Sequence, residues 1–232
     1  MKQLMAHVSP TKEFGDYEKL VEIQIDNSFR LGWKKEDIIL ATNFDYSYRG
    51  VKSLVVPDSC FFAHRPKASK ILVICYMFEH GMIDDSFWCH DLDAYQLQTL
   101  SPDFEGKELA IPSYNSDPYL TSWNGGSFFF RPNAKDVFTQ LKRIMDKTGA
   151  AEEIALLYLT KRNTKDINSK YKMLNCTYNL CRKTHPFRIP VDMYDQADKP
   201  VRVIHFDYKN KEVYEQVRPF LGSLVEIFEK HL

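Results

Sequence analysis

Two carboxylates one residue apart stand out in His90-Asp91-Leu92-Asp93-Ala94, directly after the aromatic stretch Phe87-Trp88-Cys89. A pair of aspartates where a strand gives way to a turn can face one hard cation. Oxygen ligands of this kind suit magnesium or manganese, which in turn neutralises a diphosphate. Taken alone, the spacing equally describes a solvated turn. Further along, Trp123-Asn124-Gly125-Gly126-Ser127 precedes a run of three phenylalanines. Glycines at the mouth of a strand let backbone approach a ligand closely. Near the C-terminus, Arg202-Val203-Ile204-His205-Phe206 puts an imidazole at a strand end, followed by Lys209 and Lys211. A lone histidine ordinarily reads as a satisfied core or surface residue. Tyr114, Tyr119 and Trp123 sit in a polar stretch where aromatic faces can stack on sugar rings, whereas Phe128-Phe129-Phe130 reads as a buried strand.

These residues need elements to position them. Leu4 to Val8 predicts a first strand closed by Ser9-Pro10, and Tyr17 to Leu31 a helix ending before Gly32. Asp37 to Thr42 and Ser53 to Val56 predict buried strands, Ala68 to His80 a buried helix stopped by Gly81, and Phe87 to His90 a short strand. Alternation of this kind over residues 1–95 indicates an α/β unit with a mainly parallel sheet. Ligands of such sheets bind beyond the carboxyl ends of the strands, where Asn43, Asp91 and Asp93 fall. In residues 96–232, Leu109 to Pro112, Ser127 to Arg131 and Val201 to Phe206 predict strands. Asp136 to Lys147, Glu152 to Leu159 and Val213 to Lys230 predict helices, and Asn163 to Pro200 carries no clear period.

Asp-x-Asp after a strand, Asn-x-Gly opening the next buried strand, and His-Phe with a lysine six positions after the histidine occur here in that order. The chain thereby resembles the GT-A-fold, nucleotide-sugar-dependent glycosyltransferases, and most nearly the retaining branch that includes glycogenin and the bacterial lipopolysaccharide galactosyltransferases. The resemblance runs from about residue 15 to residue 211. It implies a single Rossmann-related α/β domain over residues 1–232, its mixed, mainly parallel sheet flanked by helices. Residues 1–95 would form the nucleotide-binding half and 96–232 the sugar and acceptor half. It implies a manganese or magnesium ion held by Asp91, Asp93 and His205, with Lys211 on the diphosphate of a UDP-sugar. Arg65 and Lys70 stand where the family places a basic residue near the phosphates and sugar, and Asn124 with Gly125 would line the sugar site. Glu152-Glu153 opens the helix where the family carries an acid-Gln pair, and these are the catalytic candidates. The implied reaction transfers the sugar to a hydroxyl of a carbohydrate or glycoconjugate acceptor with retention. An inverting course would instead ask for a carboxylate base, from Glu152, Glu153 or Asp117. The chain departs from the family in having a histidine before Asp91, Asp207-Tyr208 in place of a Gly-containing linker, and no Pro-Trp after Lys211.

Composition narrows the alternatives. The 232 residues include 16 Phe, 13 Tyr and 3 Trp, too much apolar surface for a disordered chain. Lys+Arg 31 balances Asp+Glu 31, so the basic excess of a dedicated nucleic-acid binder is missing. The N-terminus has no signal-peptide pattern, and the longest apolar run, near Ile71 to Phe78, is far short of the roughly 20 residues of a membrane span. Five scattered cysteines, with Cys176-x4-Cys181 not a zinc spacing, fit reduced thiols and a cytoplasmic protein without a transmembrane segment. A sugar-phosphate nucleotidyltransferase would share the sheet and the metal-binding aspartates. It normally begins with a Gly-rich phosphate loop, and residues 1–30 contain only Gly15. A non-catalytic nucleotide- or carbohydrate-binding module of the same fold is the other reading.

Overall fold

The computed structural model describes residues 1–112, 123–181 and 196–231. Strand β1, Lys2–His7, has Leu4 and Met5 fully buried on opposite faces, the pattern of a strand covered on both sides. Helix α1, Glu18–Arg30, buries Leu20, Val21, Ile23 and Ile25. Strands β2, Ile38–Thr42, β3, Ser47–Tyr48, and β4, Val51–Val55, follow. Helix α2, Ser69–Glu79, is buried nearly all round through Ile71 to Cys75, and leads to β5, Phe87–His90. Next come β6, Ala94–Gln96, β7, Leu109–Pro112, and β8, Ser127–Phe130. Helix α3, Lys135–Thr148, ends where Gly149 turns left-handed (φ 67°) and returns its N–H to the Met145 carbonyl. Helix α4, Glu152–Lys161, strands β9, Tyr171–Leu174, β10, Leu180–Cys181, and β11, Val203–His205, and helices α5, Lys211–Leu221, and α6, Leu224–His231, complete the described chain.

Among the described residues, eight strands form one sheet in the order β3-β4-β2-β1-β5-β8-β7-β9. The β4-β2-β1-β5 pairs are parallel, and β8 runs antiparallel to both β5 and β7. A smaller sheet, β10-β11-β6, lies beyond the end of β5. Helices α2, α3 and α4 share a core with Leu4, Cys89, Phe128 and Phe130 on one face of the large sheet. Helices α1, α5 and α6 pack with Met5 and Leu40 on the other. Chain order moves outward from β1 to β2 and β4, then crosses back through α2 to β5. The carboxyl ends of β1 and β5 therefore flank the switch point where α/β sheets bind ligands.

The closing helix expected over 213–230 is two helices. Gly222 sits at φ 55°, ψ −135°, a conformation that a residue with a Cβ rarely adopts, and the chain breaks there. The unpatterned stretch 163–200 supplies β9 to the large sheet and β10 to the small one.

Candidate active site

Strand β5 delivers Asp91 to the carboxyl edge, where its N–H donates to the Gly126 carbonyl (2.8 Å). The chain then turns, closed by Ala94 N–H to the Asp91 carbonyl (3.1 Å), and re-enters as β6. Antiparallel pairing sets β11 beside β6 with His205 opposite Ala94, so a residue 112 positions downstream of Asp93 arrives 2.9 Å from it, Nε2 to Oδ1. Ligand atoms of Asp91, Asp93 and His205 all lie within 4.8 Å of one another. A Cβ at Gly126 would sit 2.4 Å from the His205 ring, which explains a glycine at that position. Two carboxylates and an imidazole form a donor set suited to manganese, and the oxygens to magnesium. Among the described residues, His205 Nδ1 is buried without a hydrogen-bond partner.

Lys70, in the first turn of α2, is 4% exposed, with Nζ 2.7 Å from Asp91 Oδ1, 2.9 Å from Glu152 Oε1 and 2.6 Å from the Gly125 carbonyl. Burial works against its charge, but attraction to Asp91 and then Glu152 prevails and holds its pKa well above the ordinary lysine value. The adjacent glutamates have different surroundings. Glu152 pairs with Lys70, and its Oε1 would lie 2.8 Å from a Cβ at Gly125, so a side chain there would push this carboxylate aside. Glu153 Oε1 accepts from Gly125 N–H (2.7 Å). Burial is the largest influence on the Glu153 carboxyl and pushes its pKa up against that hydrogen bond.

Asp91, Asn124, Gly126, Glu152, Glu153 and His205 line a cavity of about 290 Å³, together with the loop from Arg65 to Ala68. Arg65 is exposed at its rim. Asn124 is fully buried; its Oδ1 accepts from Gly126 N–H (3.3 Å), and its Nδ2 donates to the Asn179 carbonyl (3.4 Å). Lys211 is exposed as the first residue of α5 and does not line this cavity. Trp123, read from its polar surroundings as an acceptor contact, is 1% exposed and packs edge-on against Tyr171 at 4.6 Å between ring centroids. Its loop position hides a core residue. Phe128 to Phe130 form a buried strand, as their sequence indicates. Tyr114, Asp117 and Tyr119 lie outside the described residues. Gln3, Gln24, Ser28 and Asn179 were not legible as part of this region. The one sequence signal for two of them is the pair of polar residues, Gln24 and Ser28, set among the apolar positions of α1.

No family model matches the chain, and no curated protein matches it in sequence. Solved structures do. The galactosyltransferase LgtC, in complex with donor and acceptor sugar analogues, superposes with a TM-score of 0.59 at 12% identity over 100% of both chains. A glycosyltransferase involved in glycosylating the major capsid of PBCV-1 gives 0.54 at 13% identity, over 93% of this chain and 100% of that one. Mouse xyloside xylosyltransferase 1 gives 0.52 at 12% identity, over 90% and 98%. The chain has the GT-A glycosyltransferase fold. Among the described residues, no helix is long and apolar enough to cross a membrane.

Proposed function

We propose that this chain is a metal-dependent glycosyltransferase that moves a sugar from a nucleotide donor, a UDP-sugar, to a hydroxyl of a carbohydrate or glycoconjugate acceptor with retention. The observation that carries the reading is the convergence of Asp91, Asp93 and His205 at the sheet's switch point, where Asp91 and His205 line a cavity also bordered by Arg65, Lys67, Glu152 and Glu153. These three residues would hold manganese or magnesium, which supplies Lewis-acid stabilisation of the departing diphosphate. Lys70 and Arg65 add positive charge toward the phosphates, where negative charge builds as the glycosidic bond breaks. Asn124 and Gly125 border the sugar. Glu152 and Glu153 face the same cavity and stabilise the oxocarbenium-like carbon as the acceptor hydroxyl attacks. With retention the leaving phosphate accepts the acceptor's proton, so neither glutamate is required as a strong base.

On this reading residues 1–95 bind the nucleotide and the remainder binds sugar and acceptor. The buried thiols of Cys60, Cys75 and Cys89 suit the reducing cytoplasm.

Thermal unfolding with UDP and UDP-sugars, with and without manganese, tests the proposal. A ligand at about 100 times its dissociation constant adds roughly 2.7 kcal/mol to the folded state. Stabilisation that needs manganese, vanishes in Asp93→Ala and accompanies sugar transfer supports it. Manganese-dependent stabilisation without transfer to any acceptor hydroxyl or water would leave a binding module. No response to any nucleotide would overturn the reading.

A further inference from the structure

Helix α1 buries polar side chains against the metal-binding turn. Gln24 and Ser28 are 1% and 2% exposed, on a helix whose other core positions are mostly aliphatic. Gln24 Nε2 uses both its hydrogens on that turn, donating to the carbonyls of Leu92 (2.9 Å) and Ala94 (3.0 Å). A second line starts at the Ser28 hydroxyl, whose one proton is shared between Gln3 Oε1 and the Gln24 carbonyl, each 2.7 Å away. Gln3 Nε2 lies 2.7 Å from His90 Nε2, and His90 Nδ1 lies 2.9 Å from the Asp91 carbonyl. A carbonyl only accepts, so Nδ1 carries the ring proton; Nε2 then accepts from the Gln3 amide, and the chain is satisfied in one direction. The ring is further fixed by stacking on Trp88, 3.9 Å between centroids at 17°. Phe206 N–H takes the Asp93 carbonyl (3.1 Å). Every carbonyl from Asp91 through Ala94 is thus held by a group outside the turn's own backbone.

We propose that Gln24 and the Ser28-Gln3-His90 chain are positioning residues that hold the Asp91 and Asp93 carboxylates in metal-binding geometry, so that α1 sets the divalent-cation affinity of the site. The inference rests on the metal-site reading above. A turn whose peptide planes are pinned fixes the directions from which both carboxylates project, and the ordering cost of its backbone is met in folding rather than on binding. Hydrogen bonds that orient ligands in this way change metal affinity by about 10- to 100-fold when removed.

The experiment titrates Mn²⁺ alone into folded protein, following free Mn²⁺ by electron paramagnetic resonance, with urea unfolding of each variant alongside. Gln24→Met keeps length and removes both donors; His90→Phe keeps a ring on Trp88 and removes the donor to Asp91. Each is expected to weaken Mn²⁺ binding about tenfold or more, while His90→Asn, which can still donate toward the carbonyl, recovers most of the affinity. Ser28→Ala, the mildest change, keeps the proposal testable if the others do not fold, with an expected loss of about tenfold, the low end of that range. Ile74→Val on α2, a core change of modest cost, is expected to lower stability and leave affinity alone. Lower stability with unchanged Mn²⁺ affinity in Gln24→Met and His90→Phe, or in Ser28→Ala if neither folds, would overturn the positioning role and leave the function intact. Failure of the unaltered chain to bind Mn²⁺ would overturn both.

Discussion

Lys70 is where single-residue energetics bear most directly on the site. Its ammonium is enclosed by Asp91, Glu152 and the Gly125 carbonyl, so its removal leaves two mostly buried carboxylates without their shared counter-charge. Breaking a buried ion pair from one side costs about 3–5 kcal/mol, more than the pair contributes when intact. Lys70→Met is therefore expected to lower unfolding free energy in urea by about 3 kcal/mol. Millimolar manganese should restore part of that loss, because a cation on Asp91 would replace the missing charge. A variant as stable as the parent would mean that Lys70 is not enclosed as described. Gly126 makes the complementary point: space, rather than charge, fixes its identity, since a Cβ would meet the His205 ring at 2.4 Å.

Among the elements, the break between α5 and α6 depends on one backbone conformation. Nothing lies within 4 Å of a Cβ built on Gly222, so the cost of a side chain there is conformational alone. Gly222→Ala is expected to lose about 1–3 kcal/mol, read as a lower melting temperature. Unchanged stability would indicate that the chain can pass through residue 222 in another conformation. The break has a packing consequence: it lets both Leu221 and Leu224 reach the core shared with α1.

At the scale of the whole molecule, Asp26 joins parts of the fold that are distant in sequence. It is 5% exposed on α1 and meets Arg49 from the β3–β4 turn (2.6 Å), and Lys230 (2.8 Å) and His231 (2.9 Å) from α6. Burial alone would raise its pKa, but the hydrogen bonds from Lys230, His231 and Arg49 outweigh it and hold the carboxyl down to about 2. A carboxylate with a lowered folded pKa contributes stability above its unfolded value, and the contribution is lost as pH falls from near 4 towards 2. Asp26→Asn should therefore be less stable at neutral pH, by about 1–3 kcal/mol for hydrogen bonds to a charged group. It should also lose less further stability across that acid range than the parent does. Urea unfolding at a series of pH values measures both, and parallel curves would remove Asp26 from this role.

The strands and helices that place the candidate metal site were legible because their signals are local. Leu109 to Pro112 and Phe87 to His90 are strands with the predicted bounds, and Asp91 and Asp93 follow β5 where a turn was expected. His205 was marked by a resemblance in motif order, since no local pattern links it to Asp93. The meeting depends on β11 pairing with β6 across 112 residues of chain. Trp123 differs from its sequence reading for the same reason: its neighbours in sequence are polar, but it is buried in the core with Tyr171, from β9, edge-on against it. Gln24 and Ser28 carry only a weak sequence signal, polar residues among the apolar positions of α1, and it does not say what they meet. Their role follows from the sheet order, which sets the end of β5 over α1. Periodicity, turn residues and the Asp-x-Asp spacing belong to the sequence itself, because each acts over a few residues. Which buried polar atoms meet at the turn was decided only by tertiary packing, where every such atom has to find a partner or bear the cost of desolvation.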